Sequence, residues 1–269
     1  MQSGDSVFTG SIPEIYDRYL GPALFDPYAA DLARRVTDIG SGALLETAAG
    51  TGRVTRALAR ALPETVSIVA TDLNQAMVDC AAAQPGAARV SWQQADATAL
   101  PFEDSRFDAV VCQFGAMFFP DKTAAYREAL RVLKPGGRFL FNIWDKIEAN
   151  EFGQVTTQAL IALFPDGPPL FLARTPHGHY RTDIVGNALR SAGFGNVVVE
   201  TVELESRVPA ARDIAIGFCQ GSPLRNEIEE RRPGELAMVT EAVARAIADR
   251  LGERPITGKM RAHVIVAGR

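Results

Sequence analysis

The stretch Ala43-Leu44-Leu45-Glu46-Thr47-Ala48-Ala49-Gly50-Thr51-Gly52-Arg53-Val54-Thr55 decides how this chain is read. An apolar run ends in an acid, a turn of small residues follows, and Val54 to Ala61 has helical spacing. The pattern is a strand, a tight turn and a helix start. Glycine gives such a turn access to positive φ and lets a ligand lie against bare main chain, while the first helical turn offers N–H groups without intrahelical partners. The expectation is a ligand held on backbone. Because β-to-α turns of this kind also occur with no ligand, the weight rests on what lies at set distances from it.

Working outward, strands and helices alternate. Strands are expected at Leu44 to Thr47, Val66 to Thr71, Arg89 to Gln94, Phe107 to Gln113 and Arg138 to Trp144. Between them, helices are expected at Val54 to Ala61, Gln75 to Gln84 and Lys122 to Leu133, the last stopped by the breaker Lys134-Pro135-Gly136-Gly137. Alternation of this kind specifies parallel strands joined by right-handed crossovers. Upstream, helices are expected at Ile12 to Leu20 and Asp26 to Asp38, after a polar, frayed Met1 to Gly10. Downstream come a helix at Asn150 to Phe164, a Pro/Gly-rich loop to Tyr180, a helix at Thr182 to Ala192, a strand at Asn196 to Arg207, helical pieces from Pro209 to Leu251 and a last strand at Met260 to Ala267. The fold class is therefore α/β, a sheet of about seven strands with helices on both faces and a helical cap. Residues 1–42 read as an N-terminal helical cover, and 43–269 as the main domain with cap insertions near 150–180 and 209–251.

Composition narrows the function. The chain has 269 residues, 47% of them hydrophobic, enough for one substantial core. A net charge of −4 with Lys and Arg scattered among acids gives no basic footprint, so nucleic acid is not an expected partner. Cys80, Cys112 and Cys219 form no Cys-x-x-Cys pair, which fits a reducing compartment and argues against zinc or disulfides, and no metal site is expected. No run approaches the ~18 apolar residues of a membrane span, and the N-terminus lacks a signal-peptide core, so the cytoplasm is the expected location.

Acids recur at the ends of successive strands, the edge where open α/β sheets bind ligands. Asp72 lies about 20 residues beyond the glycine turn, where an acid can accept both hydroxyls of a ribose. Asp96 follows the third strand, where it could accept from an exocyclic amine while the Ala97 N–H meets a ring nitrogen. Each also has a plain structural role open to it, Asp72 as a helix cap and Asp96 as a turn residue. Glu46, at the end of an apolar strand, is costly there unless it meets a donor or a cationic ligand. A dinucleotide fingerprint would require a third glycine inside the helix, and here Gly50-Thr51-Gly52 is followed by Arg53-Val54-Thr55.

The segments Leu-Leu-Glu-Thr-Ala-Ala-Gly-Thr-Gly-Arg, Ala-Thr-Asp-Leu-Asn, Ala-Asp-Ala-Thr-Ala-Leu-Pro-Phe-Glu-Asp-Ser-Arg-Phe-Asp and Arg-Val-Leu-Lys-Pro-Gly-Gly-Arg resemble the successive motifs of class I S-adenosylmethionine-dependent methyltransferases. Within that family they resemble the small-molecule group that includes the ubiquinone/menaquinone methyltransferases, over roughly Ala43 to Trp144. The resemblance implies a Rossmann-like mixed sheet of about seven strands with the last antiparallel, and S-adenosylmethionine as cofactor. It places Glu46 near the methionine amino group, Ala48, Gly50, Thr51, Gly52 and Arg53 around the methionine moiety, Asp72 on the ribose and Asp96 with Ala97 at adenine. Leu73 and Met77 would flank the adenine, Gln113 would lie near the methionine end, and Tyr16 could close over the cofactor. Ala48 departs from the family, which often has glycine there.

The implied activity is methyl transfer to a small, fairly apolar acceptor at oxygen, nitrogen or carbon. Tyr19, Phe114, Met117, Phe118 and Trp144 are candidates for the acceptor pocket, with Phe119 beside them. His177 and His179 are candidates for a base, needed only if the acceptor must lose a proton; as residues of a Pro/Gly-rich loop both are expected to be exposed. A second function fits the same motifs, a non-catalytic S-adenosylmethionine-binding regulatory protein of this fold. The acceptor and the oligomeric state leave no mark in the sequence.

Overall fold

A computed structural model describes residues Ile12–Arg269; the expectation for Met1 to Gly10 falls outside them. The short α1 (Ile12–Ile15) runs through a π-helical stretch (Tyr16–Phe25) into α2 (Asp26–Arg34). Then follow β1 (Gly42–Glu46), α3 (Arg53–Ala61), β2 (Val66–Asp72), α4 (Gln75–Ala82), β3 (Val90–Gln94), β4 (Phe107–Gln113), α5 (Lys122–Val132) and β5 (Leu133–Trp144). The remainder is α6 (Glu151–Leu163), α7 (Phe171–Arg174), α8 (Thr182–Ala192), β6 (Asn196–Val208), α9 (Ala211–Gln220), α10 (Leu224–Arg231), α11 (Leu236–Leu251) and β7 (Ile256–Gly268). The seven strands form one sheet in the order β3-β2-β1-β4-β5-β7-β6. β1 to β5 are parallel. β7 runs antiparallel to β5, as the bonds from Asp145 N to Arg261 O (3.0 Å) and from Arg269 N to Gly137 O (2.9 Å) show.

The chain forms two compact units. The sheet unit comprises Tyr28–Ile143, Tyr180–Val202 and Ala262–Arg269. Its central strands β1, β2 and β4 are buried on both sides, which is why Leu44-Leu45 and Val110-Val111 read as unbroken apolar runs. On one face, Leu32 of α2 and Val54 and Leu58 of α3 join Leu44, Ile68, Val111 and Leu140 in a single core. On the other, Tyr126 of α5 packs against Phe139 and Phe141 at ring distances of 6.0 and 5.5 Å. Among the described residues the helical unit comprises 12–27, Trp144–His179 and Glu203–Arg261. There α11 packs on α9 and α6, and α9 on the π-helical stretch.

Two boundaries depart from the sequence expectation. β5 starts at Leu133, so the Lys134-Pro135-Gly136-Gly137 breaker lies inside the strand. Phe107 pairs with Leu133 and Ala109 with Arg138, so the extra residues bulge out, and Gly136 takes φ +80° there. Such an irregularity tolerates a proline that has no N–H to give. Upstream, the two expected helices are one continuous helical path, with Pro22 inside the π-helical stretch and α2 ending at Arg34, short of Asp38. A π-helical widening is a recognised way to carry a helix past an interruption.

Candidate functional site

Register places the acids. Glu46 pairs with Ala70 on β2 and with Val111 on β4, and Gln113 pairs with Asn142 on β5. Side chains alternate along a strand, so Asp72, Glu46, Gln113 and Asn142 all stand on one face, the one carrying Leu44 and Leu140. Glu46, Asp72 and Gln113 are the last residues of their strands, and Asn142 stands level with Gln113 near the end of β5. An otherwise apolar surface thus ends in a polar row.

Glu46 is 1% exposed. Its Oε2 accepts the Thr55 hydroxyl at 2.5 Å, and among the described residues no other donor reaches the carboxyl. Burial pushes Glu46 up to about 8; the Thr55 bond opposes this, nearby Asp72 adds to it, and Arg56 opposes it. Asp72 accepts the N–H of Gly50 at 2.8 Å and of Asn74 at 2.9 Å, one on each oxygen. Burial raises its pKa against those bonds. One carboxyl therefore ties the turn after β1 to the start of α4.

The turn itself is strapped to its neighbours by bonds from Thr47 N to Val111 O and from Ala49 N to Thr71 O, both 2.9 Å. Ala48 has φ +52°, a left-handed conformation that explains why glycine suits this position and what alanine costs. Gly50 has φ +55°, and a Cβ built on it would meet nothing within 4 Å. Gly52 differs: at φ +78°, a Cβ there would lie 2.7 Å from the Trp92 ring. Gly52 serves packing, whereas Gly50 faces open space. Open backbone at Gly50, one undonated oxygen on buried Glu46 and the orphaned Oγ1 of buried Thr51 fit a ligand with a cationic end and polar atoms.

Asp96 is exposed and its Oδ1 accepts the N–H and the hydroxyl of Thr98 at 2.8 and 2.7 Å, so it does shape a turn. Ala97 beside it, Gln113 and Arg53 are half-buried. Leu73 is 37% exposed, held by a bond from Gln94 Nε2 to its carbonyl, while Met77 is buried. Phe114 and Met117 are buried and Phe118 half-buried in the segment after β4. All these belong to the sheet unit.

Tyr16, Tyr19, Trp144, His177 and His179 belong to the helical unit. Tyr16 stacks on Phe25 at 4.9 Å, Phe25 approaches Trp144 at 6.3 Å, and Trp144 approaches His177 at 5.8 Å. Tyr19 is half-buried under Arg18. The expectation that both histidines are exposed is wrong. His177 is buried because its Nδ1–H donates to the Asp145 carbonyl at 2.8 Å and its ring lies beside Trp144 and Gly153. Burial holds it down to about 4, so it is neutral at pH 7, with Nε2 as the acceptor nitrogen. His179 is half-buried.

Two residues escaped the sequence reading. Thr55 carried no signal beyond a hydroxyl in the first turn of α3. Asn142 did carry one, as a polar residue inside Phe139-Leu140-Phe141-Asn142-Ile143-Trp144, the same kind of anomaly that marked Glu46.

Comparison with known proteins adds the following. Residues 45–141 match the model of a methyltransferase domain. The chain is 42% identical over 101 residues to the ubiquinone/menaquinone biosynthesis C-methyltransferase UbiE of Geobacter sulfurreducens, covering 36% of this chain. That match spans 40% of the relative's length, and matches to other UbiE proteins span about half. Among solved structures, Haemonchus contortus phosphoethanolamine N-methyltransferase 2 in complex with S-adenosyl-L-methionine superposes with a TM-score of 0.64 at 16% identity, covering 100% of this chain and 60% of that one. The [4+2]-cyclase SpnF superposes with a TM-score of 0.58 at 21% identity, covering 97% and 96%. Motif order, matched domain and sheet topology agree: residues 45–141 carry a methyltransferase domain, and over that stretch the chain resembles the class I S-adenosylmethionine-dependent methyltransferases, the UbiE group among them.

Proposed function

We propose that this protein transfers a methyl group from S-adenosylmethionine to a small, fairly apolar organic acceptor. The observation that carries the proposal is the open glycine turn flanked by Glu46 and Asp72 on the C-terminal sheet edge. Glu46 would meet the cationic amino-acid end, Ala48 to Arg53 would line the methionine moiety, and Asp72 would hold the ribose. Asp96, Ala97, Leu73 and Met77 would enclose the adenine, with Gln113 at the methionine end. Once bound, the cofactor supplies an electrophilic methyl group, and the residues around it contribute chiefly position.

Apolar walls support an apolar acceptor: Phe114 and Met117 are 5% exposed and Phe119 is 9% exposed. Phe118, half-buried in the same segment, belongs to the proposed lining. The acceptor atom is oxygen, nitrogen or carbon; the UbiE relatives, named as C-methyltransferases, put carbon first. If the acceptor must lose a proton, His177 with its fixed tautomer is better prepared than His179. Residues 1–42 are proposed as a helical cover, and the segments near 150–180 and 209–251 as the parts that select the acceptor. Among the described residues no helix is long and apolar enough to cross a membrane, and a cytoplasmic location without nucleic-acid partners is proposed.

A non-catalytic S-adenosylmethionine-binding role, regulatory in kind, is the second reading, because fold and cofactor site do not fix chemistry. Calorimetric titration with S-adenosylmethionine comes first, and absence of binding refutes both readings. A screen of small acceptors for S-adenosylhomocysteine formation then separates them, with turnover of any acceptor refuting the second.

A further inference from the structure

Asn142 is fully buried, and its Oδ1 accepts the Phe114 N–H at 3.0 Å. The Asn142 main-chain carbonyl shares the same N–H at 3.2 Å. Because the partner is a donor, the amide can face only one way: oxygen to Phe114, nitrogen away. Among the described residues that nitrogen has no hydrogen-bond partner. A buried donor left unpaired costs stability, and leucine, with the same branching and bulkier ends, would not carry that cost. The acceptor oxygen is what the asparagine supplies.

Phe114 is a residue that needs holding. Its φ is +50°, in the left-handed region that bulky side chains avoid. The turn it makes leads straight into Gly115, where a Cβ would stand 2.4 Å from the Ala48 Cβ and 2.9 Å from Cys112 Sγ. Ala48 is itself left-handed at φ +52°. Two strained non-glycine turns therefore meet back to back, with only a glycine between them. Neither can relax without moving the other.

We propose that Asn142 is a positioning residue for the methionine end of the cofactor site, acting through the Phe114 turn and Gly115 on Ala48. The inference rests on the proposed placement of the methionine moiety along Ala48 to Gly52. Asn142 bends the chain after β4 out of its strand path, and the bent segment backs the cradle turn into its left-handed form.

The test is calorimetric titration of S-adenosylhomocysteine and of 5′-methylthioadenosine, which lacks the amino-acid moiety, with thermal unfolding alongside. Asn142→Leu is expected to weaken S-adenosylhomocysteine about tenfold, the scale of one oriented hydrogen bond, and 5′-methylthioadenosine less than about twofold. Asn142→Asp, kept neutral by burial and still presenting an acceptor, is expected to restore most of the lost affinity. Gly115→Ala leaves the Asn142 bond intact and crowds Ala48, so it carries the test if Asn142→Leu does not fold; the same ligand-selective loss is expected. Equal losses for both ligands, or no loss for S-adenosylhomocysteine, overturn the proposal. Wild-type protein that binds 5′-methylthioadenosine as tightly as S-adenosylhomocysteine overturns the methionine placement beneath it instead.

Discussion

Replacing Glu46 by glutamine tests the electrostatics of the site directly. Glutamine keeps the shape of the protonated acid and can still accept the Thr55 hydroxyl, but it has no proton to lose. In the unfolded chain Glu46 ionises near its ordinary value of 4.5, whereas in the folded protein burial holds the proton on to about 8. Between those values the folded state binds more protons than the unfolded one, so stability falls as pH rises, and the loss is complete above the folded pKa. At about 1.4 kcal/mol per unit, the displacement is worth roughly 3–5 kcal/mol. Glu46→Gln should thus match wild type to within about 1 kcal/mol near pH 5 and exceed it by roughly 3–5 kcal/mol near pH 9. Urea unfolding of ligand-free protein across this range reads the difference, since every other titrating group is common to both proteins. A gap that does not change with pH would refute the reasoning. The same variant should bind S-adenosylmethionine more weakly, because the oxygen that destabilises the empty fold is the one proposed to meet the cation.

Asp72→Ala should weaken S-adenosylmethionine binding by at least about tenfold by calorimetry, through the ribose and through the lost tie to Gly50; unchanged affinity refutes the ribose placement. Gly50 and Gly52 should part company. Gly52→Ala meets the Trp92 ring and should lower unfolding free energy by about 1–3 kcal/mol, while Gly50→Ala meets no neighbour and should cost only about 1 kcal/mol yet weaken cofactor binding more strongly. Equal effects on stability would show that the space at Gly50 is not open. For His177, burial depresses the folded pKa to about 4 from the ordinary 6.5, so stability is full above 6.5 and is lost as pH falls toward 4. His177→Phe should flatten the stability profile in that window by close to one proton, and an unaltered slope refutes the burial argument.

The fold was legible where local chemistry and tertiary setting agreed. β1, β2 and β4 are buried on both faces, so their apolar runs need no partner to be recognised. Glu46 and Asp72 stood out because an acid has no local reason to end such a run. The start of β5 was hidden because Pro135-Gly136-Gly137 reads as a stop, and its bonds to the distant Arg269 main chain and the pairing of Leu133 with Phe107 are tertiary. His177 was misread for a related reason: the carbonyl that buries it comes from Asp145, far along the chain. Asn142 was visible as an anomaly, but its meaning depends on the backbone angle of Phe114, which no side-chain pattern encodes.

The alternation that gathers Asp72, Glu46, Gln113 and Asn142 on one face also limits how the chain can change length. Deleting one residue between Leu44 and Glu46 would turn the acid onto the face of Leu45, Cys112 and Phe141, where Tyr126 and its neighbours close the core. The sheet would survive such an edit more readily than the row would. In the connections that reach the strands from the far edge, around Gly40 or Gly86, added residues would leave the parity of every strand intact. Insertions and deletions are therefore affordable on one edge of this sheet and ruinous along the strands that lead to the other.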